Sequence, residues 1–141
     1  MRWLALDIGS RRVGVAVCDA EERVASVLPA LAYPGPARLA AAIADLVRAR
    51  DAEGVIVGVP VTRGGQGPGE RRVSAVVASL REHLEVPVET FDESGTTAAA
   101  RALLAEAGVP HRRWSDLVDS TAARLILEGF LESLHARRSH R

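Results

Sequence analysis

RWLALDIGSRRVGVAVC, residues 2–18, decides how this chain folds. Leu4, Leu6 and Ile8 alternate with Trp3, Ala5 and Asp7, and this two-residue period predicts a strand over 2–9. Gly9-Ser10-Arg11 supplies a turn, and Val13 to Cys18 is a second apolar run. Asp19-Ala20-Glu21 turns the chain again into a third predicted strand, Arg23 to Leu28. Three short strands joined by tight turns predict an antiparallel meander.

Downstream the period changes. Pro34-Gly35-Pro36 breaks the strands, and Leu39, Ile43, Leu46 and Val47 mark a helical stripe over 37–50. Gly54 to Val59 reads as a buried strand ended by Pro60. The glycine-rich loop 62–69 leads into a helix with Val73, Val76, Val77, Leu80 and Leu84 on one face. A fifth strand is expected over Val86 to Phe91. An alanine-rich helix then starts at a Thr96 or Thr97 cap and closes at Gly108. The last helix starts at a Ser115 cap and carries the stripe Ala122, Ala123, Ile126, Leu127, Phe130, Leu131 and Leu134. One domain over 1–135 is expected, followed by a basic tail, 136–141, that frays.

The order βββαβαβαα places strands 1, 4 and 5 in parallel, with strands 2 and 3 as an antiparallel edge hairpin. The predicted class is α/β, a mixed five-stranded sheet with helices on both faces. Ligands of such sheets sit beyond the carboxyl ends of the parallel strands.

Composition narrows the chemistry. The 141 residues carry 18 basic and 18 acidic side chains, and every basic one is arginine. Without lysine there is no Gly-Lys-Ser/Thr phosphate loop. A single cysteine, Cys18, excludes an intrachain disulfide. The histidines, His83, His111, His135 and His140, show no metal-ligand spacing with it. No apolar run approaches the roughly 20 residues that span a bilayer, and no signal-peptide core is seen, so a cytoplasmic protein without a membrane partner is expected. Four Arg-Arg pairs, Arg11-Arg12, Arg71-Arg72, Arg112-Arg113 and Arg137-Arg138, suit bidentate phosphate contacts if they share a face.

Three carboxylates stand where apolar or loop residues are the rule. Asp7 interrupts the apolar first strand, and a buried carboxylate needs a partner, structural or functional. Glu93 and its neighbour Asp92 follow the fifth strand at the expected ligand edge, although two solvated loop acids would read the same way. Asp119 shares a helix face with Ala123 and Ile126, which also suits an acid near a helix N-terminus; Asp116 falls on a neighbouring, more exposed face. Meeting at one point, Asp7, Glu93 and Asp119 form an oxygen-only ligand set for Mg²⁺ or Mn²⁺, fit for phosphodiester hydrolysis.

At these residues the chain resembles the YqgF (RuvX) family, relatives of the RuvC resolvases within the ribonuclease H-like fold. The resemblance rests on Leu6-Asp7-Ile8-Gly9-Ser10-Arg11-Arg12-Val13-Gly14-Val15-Ala16, on Val57-Gly58-Val59-Pro60, on Phe91-Asp92-Glu93 with Thr96-Thr97, and on Val118-Asp119-Ser120-Thr121-Ala122-Ala123. These segments run in order over nearly the whole chain. The resemblance implies a metal-dependent nuclease with Asp7, Glu93 and Asp119 as catalytic metal ligands. It also implies a role in maturing the 5′ end of the small-subunit ribosomal RNA precursor, with resolution of DNA junctions as the related activity. Ser94-Gly95 stands where the family pattern has arginine and an apolar residue, so Arg11, Arg12, Arg71 and Arg72 are the expected nucleic-acid contacts. Two readings compete: a nucleic-acid-binding module that no longer cuts, and a nucleotide-binding fragment related to actin-like ATPases. The expected partner is structured RNA or branched or single-stranded DNA, and the chain acts as a monomer or a homodimer.

Overall fold

The computed structural model describes residues 1–60, 67–92 and 96–139, with the side chains of Thr96, Thr97, Ser115 and Asp116 also outside the description. Strands β1 (Trp3–Ile8), β2 (Arg12–Cys18) and β3 (Ala25–Ala32) are followed by α1 (Pro36–Arg50), β4 (Gly54–Val59), α2 (Pro68–His83), β5 (Val88–Asp92), α3 (Thr96–Glu106), a 3₁₀ turn (His111–Arg113) and α4 (Trp114–Ser139). The sheet order is β3-β2-β1-β4-β5. β1 pairs antiparallel with β2 and parallel with β4, and β4 pairs parallel with β5. This is the mixed sheet expected from the sequence.

Strand alternation sends side chains to two separate cores. Leu4, Leu6, Ile8, Val13, Val15, Val55 and Val57 face α1 and α2. Trp3, Ala5, Ala16, Cys18 and Ile56 face α4, where Phe130 meets the Trp3 ring edge-on at 4.9 Å. Both helices of the first layer begin at proline, Pro36 in α1 and Pro68 in α2, whose missing N–H is no loss in a first turn. α3 packs on α4 and adds the outer layer.

Several boundaries differ from expectation, each for a local reason. β3 starts at Ala25, because the Asp19 carboxylate accepts the Arg23 and Val24 N–H groups and holds both in the turn. Those two bonds also hold the half-buried Asp19 carboxyl below its ordinary range. β5 starts at Val88, since pairing with β4 opens with the Val55 N–H donating to Pro87. α4 begins at Trp114; the expected caps Ser115, Thr96 and Thr97 lie outside the described side chains. The tail is no frayed end as far as Ser139. α4 continues through it, and Arg138 donates to the Glu22 carboxylate at 2.6 Å. His140 and Arg141 lie outside the described residues.

Glu22 is buried at the end of the sheet where β2 finishes, with a left-handed backbone (φ 61°). It also accepts the Trp3 indole N–H at 3.0 Å and lies 3.7 Å from the Met1 ammonium. Burial pushes its carboxyl up, but Arg138 and Trp3 outweigh this and pull it below the usual glutamate range.

Candidate functional site

The opposite end of the sheet, beyond the carboxyl ends of β1, β4 and β5, holds the site. Asp7 shares the face of Trp3 and Ala5, so its side chain points toward the α4 layer. It is buried, 9% exposed, and is not without a partner. Its registered neighbour on β2 is Gly14. A methyl group at Gly14 would collide with the backbone carbonyl of Asp119 and lie 2.8 Å from the Ser120 nitrogen. The bare glycine is therefore what lets the first turns of α4 settle onto β2, beside Asp7.

A second device fixes that approach. The β2–β3 register shifts between Val13 and Val15, so Pro29 and Ala30 bulge opposite Gly14. Proline suits a bulge because it has no ladder N–H to lose. Leu28, at the start of the bulge, accepts a hydrogen bond from the Ser120 hydroxyl at 2.8 Å. Gly14, the bulge and Ser120 thus seat Asp119 over the strand pair that carries Asp7.

The result is an open cleft of about 520 Å³, lined by Gly9, Ser10, Arg11, Arg12, Arg101, Trp114, Val118 and Asp119. Burial pushes the Asp119 carboxyl above its ordinary range, and the Arg12 guanidinium offsets this in part. An anionic oxygen there is short of solvation, and a bound cation would relieve it. Arg11 and Arg12 also line a second, adjoining groove with Pro29 to Ala32, so the pair forms the ridge between the two hollows.

Of the residues singled out from sequence, Asp119, Arg11 and Arg12 line this cleft, and Asp7 stands on β1 as the registered neighbour of Gly14, against which the Asp119 backbone packs. Glu93 lies outside the described residues; it directly follows Asp92, which registers with Val59 at the same sheet edge. Among the described residues no group of three metal-ligating side chains assembles. Arg71 and Arg72 sit on α2, the layer packed on the other sheet face, and do not line this cleft. The four arginine pairs do not share one face, since Arg138 is engaged with Glu22 at the far end. Sequence reasoning missed Arg101 and Trp114. Arg101 sits in an alanine-rich helix with no distinguishing pattern; Trp114, a large aromatic just before a predicted helix cap, was a signal to follow.

Comparison with known proteins adds the family. A model described as RuvX, Holliday junction resolvase, matches residues 1–133. A protein of Chloroflexus aggregans, named "Putative pre-16S rRNA nuclease", is 40% identical over 131 residues, 92% of each chain. A Desulforudis audaxviator protein of the same name is 38% identical over 140 residues, 99% of each chain. Among solved structures, Thermus thermophilus RuvC in complex with a Holliday junction substrate superposes with a TM-score of 0.60 at 19% identity, covering 96% of each chain. The fowlpox virus resolvase with Holliday junction DNA gives 0.54 at 12% identity, covering 95% of this chain and 99% of that one. These likenesses show the RuvC-like fold. No described helix is long and apolar enough to cross a membrane.

Proposed function

The chain belongs to the RuvX family, and from that premise we propose that it is a divalent-metal-dependent nuclease acting in 5′-end processing of the small-subunit ribosomal RNA precursor. The observation that supports this reading is the close packing of the Asp119 backbone on Gly14, the registered neighbour of Asp7, with Asp119 lining an arginine-rich cleft. Asp7 and Asp119 offer only oxygen ligands, the donor type of hard cations, so Mg²⁺ or Mn²⁺ fits. Glu93 is assigned as the third ligand from its sequence position; Phe91, two residues earlier, packs on the α4 side of the sheet. When bound, such ions activate water and stabilise the leaving oxygen of a phosphodiester.

The chain's own residues supply the rest. Arg11 and Arg12 present planar guanidinium groups that pair with phosphate oxygens and offset the negative charge of the carboxylates. Arg101 brings a third guanidinium to the cleft; with Ser94-Gly95 in place of the family's arginine, we assign it the missing positive charge.

The test is a screen of Mg²⁺ and Mn²⁺ with wild type and Asp7→Asn against single-stranded RNA, single-stranded DNA and a four-way DNA junction. Wild type cleaves and Asp7→Asn, folded as judged by circular dichroism, does not. Full metal-dependent activity in the variant would sink the assignment. Salt-dependent binding with no turnover would leave a binding module instead, and cleavage of the junction alone would move the substrate to DNA.

A further inference from the structure

We propose that Trp114 and His111 form a stacking platform for an unpaired nucleobase at the mouth of the cleft, so that the substrate is single-stranded next to the phosphate being cut. The nature of the ligand rests on the nuclease reading above; the platform itself rests on geometry.

The connection from α3 to α4 is built to hold these rings. Gly108 turns the chain with φ 71°, and the Val109 N–H donates to Leu104 at 3.0 Å. The Arg113 N–H donates to Pro110 at 2.9 Å, closing the 3₁₀ turn. The Trp114 indole N–H then donates to the Val109 carbonyl at 2.8 Å. His111 and Trp114 stack with ring centroids 4.1 Å apart and planes within 17°.

Trp114 is not among the described residues of either buried core, yet it is only half exposed and lines the same cleft as Asp119 and Arg12. A tryptophan held rigid outside the core, stacked on His111 and lining a charged cleft, extends an apolar surface on which a flat ligand can pack. Its one polar atom is already engaged with Val109, so it can recognise a ligand only by its ring. Every nucleobase has a π-face, and stacking on an aromatic side chain tolerates any sequence. A base inside a duplex has both faces covered by its neighbours, which leaves the unpaired base as the ligand.

The charges around the rings match that ligand. Arg101 lines the cleft beside Trp114, and Arg112 and Arg113 are exposed on the 3₁₀ turn next to His111. A base on the platform would have its flanking phosphates among three guanidinium groups.

The test uses the full-length Asp7→Asn chain, which binds without cutting, with a short single-stranded oligonucleotide and the same sequence as a blunt duplex. The chain has two tryptophans, and Trp3 is 4% exposed, so a change of indole emission on binding reports Trp114. The single strand quenches that emission. Trp114→Leu weakens single-strand binding about tenfold, Trp114→Phe weakens it no more than about threefold because a ring remains, and duplex affinity moves less than about twofold in both. Binding that leaves the emission unchanged overturns the platform, as does an equal loss on duplex and single strand. Should Trp114→Leu fail to fold, the emission measurement on the tryptophan-bearing chain decides alone. The two readings fail separately: cleavage without quenching removes the platform, and quenching without cleavage by the chain carrying Asp7 removes the nuclease.

Discussion

Gly14→Ala is the substitution that connects fold and chemistry most directly. The added methyl falls inside van der Waals contact of the Asp119 carbonyl and 2.8 Å from the Ser120 nitrogen, all backbone atoms. A flexible side chain could swing aside; a helix backbone tied down by Ser120 to Leu28 cannot. Overpacking a well-filled contact costs about 1–3 kcal/mol, and a clash with fixed backbone belongs at the upper end, about 3 kcal/mol. For a domain of this size that lowers the melting temperature by about 10 °C. A matched control is Gly69→Ala in the first turn of α2, where nothing lies within 4 Å of the added methyl; better helix propensity makes it neutral or stabilising by up to about 1 kcal/mol. Melting is followed by circular dichroism, and cleavage is measured well below the variant's midpoint, where both chains are folded. Shifting α4 by about 1 Å moves Asp119 away from Asp7, and such a misplacement costs about 100-fold in rate. If Gly14→Ala melts within about 1 °C of wild type and cuts at the wild-type rate, then α4 does not rest on Gly14 and the account of the site is wrong.

Three further outcomes follow from the same structure. Saturating Mn²⁺ raises the melting temperature of wild type, since about 2.7 kcal/mol accrues at a hundred times the dissociation constant, and Asp7→Asn loses that shift; an equal shift in both chains would place the ion elsewhere. Asp119→Asn raises the metal-free melting temperature at neutral pH: burial holds the Asp119 carboxyl above its ordinary value, so its ionised form opposes folding above that value and the neutral amide does not. An unchanged or lower midpoint would contradict it. Glu22 titrates with the opposite sign. Its carboxyl is held below the ordinary range, so its stabilisation is complete above the unfolded value, near 4.5, and is lost as pH falls through the folded one. Glu22→Gln should therefore flatten the acid limb of the stability profile while lowering stability at neutral pH, and parallel acid limbs in the two chains would refute the link.

The sheet was legible because its signal is local: alternation in β1 and β2 and the helical stripes of α1, α2 and α4 each sit within a few turns of sequence. The antiparallel start and parallel finish followed from the element order alone. Strand ends were less legible, since the Asp19 side chain, not hydropathy, decides where β3 begins. Asp7 and Asp119 stand out in the sequence because a carboxylate on an apolar face is conspicuous. The role of Gly14 is not legible locally, because what it accommodates arrives more than a hundred residues later. Arg71 and Arg72 show the converse: adjacent arginines look the same in sequence whichever side of the sheet their helix covers. The environment of Trp114 is not legible either, because it is made by a 3₁₀ turn that carries no periodic signal.

The late arrival of α4 also has a bearing on synthesis. Trp3, Ala5, Asp7 and Ala16 leave the ribosome early, but the layer that covers their face is the last described helix. Until residues 114–139 emerge, one side of the sheet is uncovered, and the cleft lacks its Asp119 wall. A chain interrupted anywhere before Asp119 carries the first carboxylate without the second. The order of translation thus acts as a safety catch: the two carboxylates proposed to hold the metal come together only once the first turns of α4 have been made.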